Sequence, residues 1–320
     1  MIGILAAAAL MASAQVPPEQ QASSAPPQEP GATQLEDVTV TGRTLDQLVG
    51  KFVEEVAEPN RGRGLARWRD GVCVGVANLR PDTAQYIVDR VSTVAEDVGL
   101  RPGRPGCAPN VLIVATDDSS ALARGMVSAR PVSFRMGGGG MDRGSSALKD
   151  FQEADRPIRW WQVSMPVDAD SGVRATRIPG DCDPRTCNNA SGSVLGFAPI
   201  IPVFAASRLH TQIVDNIFRT VVIIDMDDVA GLTALQVADY IAMVSLAQID
   251  PDADTGAYAS ILNVFEEGSD IPTLTGWDKA YLAGLYRAER NELNRAAGLQ
   301  EVEGSILRAH ARARAGQSEN

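Results

Sequence analysis

Apolar residues recur along this chain with two periods, one helical and one extended. From Leu45 to Val56 they fall at Leu45, Leu48, Val49, Phe52, Val53 and Val56, one face of a helix that ends before Pro59 and the RGRG turn. Gly71 to Val76 is β-branched and bounded by turn residues, which predicts a strand. Asp82 then opens a helix whose face carries Ile87, Val91, Val94 and Val98, and Gly99 closes it. Asn110 to Ala115 is continuously apolar, as in a strand covered on both faces. The polar group Asp117-Asp118-Ser119-Ser120 can cap a helix running towards Ala129.

Regularity drops between residues 130 and 202. Within that stretch Arg159 to Met165 reads as a strand, with Trp160 or Trp161 turned inward by alternation. Ile213 to Phe218 is expected to end a helix carrying His210, and Thr220 to Asp225 to form a second buried strand. Leu232 to Ile249 follows as a helix apolar around much of its circumference. Gly276 to Tyr286 is an amphipathic helix with Thr275 as N-cap, and beyond Arg287 an Ala, Arg and Glu pattern predicts a solvated helix that frays. The expected fold class is therefore α+β, a mixed sheet with packed helices.

The ends of the chain change this picture. Ile2 to Met11 is apolar and Ala12-Ser13-Ala14 follows, which together read as a signal peptide over residues 1–14. Residues 15–43 are mostly Pro, Gln, Ser and Ala, a composition expected of a disordered tether, with Glu36 to Arg43 alternating enough for an edge strand. The domain is expected at 44–290, with an irregular insertion at about 130–202 and a terminal helix and disordered end at 291–320. A periplasmic or secreted location follows from the leader. Four cysteines fit it: Cys182 with Cys187 across a CDPRTC turn, leaving Cys73 with Cys107. A C-x4-C pair with two distant single cysteines is not a usual zinc spacing. No later stretch is apolar enough for a permanent membrane span.

Charge narrows the choice of partner. With 29 basic against 40 acidic residues the net charge is −11, which repels phosphate backbones, so nucleic acid is not expected. Gly137 to Gly140 lacks the Lys and the strand–helix context of a phosphate loop, and no GxSxG elbow is present. The loop Asp250-Pro251-Asp252-Ala253-Asp254 alternates carboxylates. Its sixth and twelfth positions, however, are Thr255 and Ile261 where a calcium loop needs Gly and Glu.

Residues 220–286 carry one family resemblance. The strand TVVIID, the helix ADYIAMVSLAQ, the segment Tyr258-Ala259-Ser260-Ile261-Leu262-Asn263 and the closing LTGWDKAYLAGLY resemble, in order, the C-terminal half of zincin metalloproteases of the matrixin kind. That resemblance implies a protease-like scaffold, with a strand, an active-site helix, a Met-turn region and a closing helix. Where the family has HExxH, this chain has Asp239-Tyr240-Ile241-Ala242-Met243, and His210 and His310 are its only histidines. A three-histidine zinc site is therefore absent, and no catalytic residue, metal or cofactor is assigned. Two functions fit. One is a non-catalytic envelope protein, a pseudoenzyme that binds a partner or peptide beside the central helix. The other is a metal-dependent hydrolase with a carboxylate site near Asp225, Asp239 and Asp250, Asp252 and Asp254. Tyr240 and Met243 complete the candidate cluster.

Overall fold

The structure is a computed structural model. It describes residues 44–60, 63–135, 141–174, 211–290, 292 and 294–318, all within the unit Asp37–Asn320. The signal peptide, the tether, the 36–43 strand, Gly137 to Gly140, Cys182, Cys187 and His210 lie outside the described residues.

Helix α1 (Leu45–Val56) begins at a capping box formed by Thr44 and Gln47. Two short strands follow, β1 (Gly71–Val72) and β2 (Val74–Ala77). Helix α2 (Pro81–Asp97) starts with proline in its first turn, where the missing N–H costs nothing. It ends in a Schellman motif: the Gly99 N–H donates to Glu96 O and the Leu100 N–H to Ala95 O, with Gly99 at φ +88°. Strand β3 (Arg101–Pro102) pairs with β1, and β4 (Val111–Thr116) lies parallel to β2. The disulfide Cys73–Cys107 ties the β1–β2 junction to the loop before β4.

The chain then builds α3 (Ser119–Ala129), α4 (Pro131–Phe134), α5 (Ser145–Glu153) and β5 (Ile158–Asp168). Strand β6 (Ile213–Asp225) leads into α6 (Ala234–Leu246), a 3-10 turn at Ile261–Phe265, α7 (Gly276–Arg287) and α8 (Arg295–Ser318). The main sheet has the order β2-β4-β6-β5, parallel except for β5 at its edge. Mixed pairing with helices on both faces makes the fold α+β.

Alternate residues of the sheet feed two cores. Val111, Ile113, Ala115, Trp160, Val222 and Ile224 join a large cluster with α1, α2, α6, α7 and α8. Trp161, Val163, Val221 and Ile223 join a smaller one with Ala123 of α3, Phe134 of α4 and Leu148 and Phe151 of α5. Both tryptophans are therefore buried, where alternation on a one-sided sheet predicts only one.

Two expectations are corrected. Ile213 to Phe218 is the first half of β6, not the end of a helix. Its Val214 and Ile217 are buried while β5 supplies hydrogen-bond partners through a bulge at Val163/Ser164, so pairing overrides local preference. Helix α8 is not wholly solvated. Val302, Ser305, Ile306 and Ala309 are buried at spacings of three and four, and the helix packs on α7 and α1. Within 130–202, α5 is an element the apolar pattern does not announce.

Candidate functional site

Helix α6 is where the resemblance places chemistry, and its surroundings decide what it can do. Ten consecutive residues, Val237 to Leu246, are buried. Asp239 is fully enclosed. Its Oδ1 accepts from Arg90 Nε at 2.5 Å, and its Oδ2 accepts from Arg90 Nη2 at 3.2 Å, Thr273 Oγ1 at 2.5 Å and the Leu274 N–H at 2.8 Å. A carboxylate with both oxygens occupied in this way is a tie between α2, α6 and the turn before α7. Tyr240 sits edge-on between Trp160 and Phe265, and burial pushes its hydroxyl pKa well above the usual value. Met243 is enclosed in the large core. From Val237 to Leu246, α6 leaves no side chain open to a groove among the described residues.

The remaining carboxylates of the candidate cluster lie apart from Asp239. Asp225, at the end of β6, accepts from the Ser119 N–H at 3.1 Å and so serves the first turn of α3, which Asp118 caps. Asp227 and Asp228 are exposed, and Thr233 caps α6. The acidic loop begins beyond the end of α6, roughly 10 Å along the axis from Asp239. There Asp252 pairs with Arg156, Asp250 lies 4.0 Å from Arg143, and Asp254 accepts from the Gly256 N–H at 3.2 Å. Glu58 shares Arg143; burial raises its carboxyl pKa more than that arginine lowers it. Among the described residues, no three His, Cys, Asp or Glu side chains are grouped as a metal ion requires.

A concave, charged surface does exist, and sequence reading passes over it. A cleft of about 380 Å³ opens between Pro59, residues 63–67, the start of β6, the end of α7 and the first turns of α8. Its charged lining is Arg63, Arg67, Arg290 and Arg295 with Asp215, Glu289 and Glu292. Arg63 grips Asp215 through Nε at 3.0 Å and Nη2 at 2.8 Å. Arg67 donates from Nη1 to the carbonyls of Leu285 and Ala288, closing the C-terminus of α7, and its guanidinium lies over the Tyr286 ring. Arg290 donates from Nη2 to the Asp215 carbonyl, and its buried Nε has no hydrogen-bond partner among the described residues.

The electrostatics follow from burial. Arg290 is pushed down to about 10 by loss of water, with Arg67 adding repulsion. Burial lowers Arg67, and it raises Asp215 against the opposing pull of Arg63. Charged groups displaced by desolvation inside a cleft are a physical mark of a binding site. The available signal was the density of arginine in RGRGLARWR, which reads first as a turn.

A second buried arginine, Arg159, was equally unannounced. It donates to Phe151 O, Ser119 Oγ and Ser120 Oγ and binds α3 to β5. Among the described residues no helix is long and apolar enough to cross a membrane. Comparison with protein-family models, curated proteins and solved structures gives no match to this chain.

Proposed function

We propose that this is an exported, non-catalytic binding protein on a scaffold that resembles zincin metalloproteases without their metal ligands. Its arginine-lined cleft would receive an acidic group of a partner protein or peptide. The observation that carries this is the state of Asp239. At the first position of the would-be metal motif stands a carboxylate with both oxygens committed to Arg90, Thr273 and Leu274. A group so committed and 0% exposed is out of reach of substrate water, and the motif's other end is the core thioether of Met243, a poor ligand for zinc.

The order of β6, α6, the 3-10 turn and α7 supports the scaffold, since strand, site helix, turn and closing helix follow in the sequence the resemblance implies. Arginine suits the cleft because its planar fork meets a carboxylate bidentately. One experiment addresses both halves: a fluorescently labelled acidic peptide such as hexaglutamate, incubated with the full chain. Saturable anisotropy without cleavage is expected, weakened by Arg290→Ala. Hydrolysis of the peptide would overturn the non-catalytic assignment, and absence of binding would overturn the role of the cleft.

A further inference from the structure

Among the described residues, the face of the sheet carrying the smaller core is only partly roofed. Helix α3 and the single turn α4 cover β6 and β5 but leave an apolar groove of about 470 Å³ along β4. Its floor is Leu112 of β4 and Val221 of β6, and its wall is Met126 of α3 and Phe134 of α4. Two arginines, Arg130 and Arg219, stand at its edge. No carboxylate lines the groove, and neither arginine is paired with one among the described residues; Arg219 lies instead over the Phe218 ring. In a chain of net charge −11, two uncompensated guanidinium groups at the rim of an apolar groove set a specific complementarity.

We propose that this groove binds a long-chain monocarboxylate, a fatty acid, with its tail on Leu112, Val221 and Met126 and its carboxylate between Arg130 and Arg219. The volume lies in the range of small-molecule pockets, and the lining is apolar with few polar groups placed to fix orientation. A charge-assisted hydrogen bond from arginine to carboxylate is stronger than a neutral one, and the apolar tail contributes free energy in proportion to the area it buries. The proposal is independent of the acidic-partner cleft, which uses different elements and different residues.

Calorimetry with sodium dodecanoate on the full chain tests it. One saturable site is expected, with dodecyltrimethylammonium (charge reversed) and butanoate (tail removed) each weaker by at least about tenfold. The paired change Arg130→Glu with Arg219→Glu should weaken dodecanoate by a similar factor. Ala129→Trp, at an exposed position on the groove wall, should abolish binding while the circular dichroism spectrum and melting temperature hold. Equal binding of the cationic amphiphile, or dodecanoate affinity unmoved by both variants, would overturn the proposal. A concentration-dependent dimer removed by Ala129→Trp would overturn it too, showing that a second copy covers the groove.

Discussion

Asp239 shows how one side chain can fix the role of a whole helix. It is 0% exposed, whereas its partner Arg90 keeps 24% of its side-chain surface in water. The aspartate therefore bears most of the desolvation, and the pair depends on Thr273 and Leu274 to complete its hydrogen bonds. Asp239→Ala would orphan the buried Leu274 N–H and leave Arg90 without its carboxylate. The expected loss is about 3–5 kcal/mol, the range for breaking a buried pair by removing one partner, read as a lower urea midpoint. A change below about 1 kcal/mol would mean that Asp239 is not the tie described. That tie was not legible in the sequence. A lone Asp in an apolar helix carries no record of an arginine 149 positions earlier. The same distance problem hid Arg63 with Asp215, separated by 152 positions, and Arg67 with Leu285. The caps were legible because their partners are three residues away: Thr44 with Gln47, Thr233 with Gln236 and Thr275 with Asp278.

Elements were readable where their own pattern sufficed. The bounds of α1 match the apolar spacing residue for residue, and β4 follows from an unbroken apolar run. Failures came where a neighbour supplies the reason for the structure. The first half of β6 is extended because β5 lies beside it, and α8 buries Val302 and Ile306 because α7 offers a place for them. That place is made by Gly284. A Cβ built there would stand 2.3 Å from Ile306 Cγ1 and 2.7 Å from the Ile306 backbone nitrogen, so the two helices touch along their backbones. Gly284→Ala separates two effects of opposite sign. Helix propensity alone would stabilise α7 by about 1 kcal/mol. Overpacking against a backbone that cannot turn aside costs about 1–3 kcal/mol and should prevail, freeing α8. The measurable outcome is a lower midpoint together with faster proteolysis within 295–318. A stabilised variant would contradict the close approach of α7 and α8.

At the scale of the whole molecule, ionisable groups are held in places that penalise charge. Asp278, in the first turn of α7, is buried and accepts hydrogen bonds from Ser260, Ile261 and Thr275, yet burial outweighs them and raises its carboxyl above 3.8. Glu58 and Asp215 are raised from 4.5 and 3.8 by the same cause, each against an adjacent arginine. A carboxyl whose folded pKa lies above its unfolded one binds more protons in the native state. Its stabilising contribution is complete below the unfolded value and is lost as pH rises through the folded value. The net charge of −11 acts in the same sense, because protonation relieves self-repulsion in the compact state. Asp168 opposes this, its carboxyl lowered by the Ser171 hydroxyl and backbone, but it is a surface group of a tight turn and solvent screens it. The balance predicts that the urea midpoint increases as pH is brought from 7 to 5. It also predicts that Asp278→Asn, which removes the most deeply buried of the raised carboxyls, flattens that slope. A midpoint that falls over this window would show that the ionised forms are the ones the fold favours.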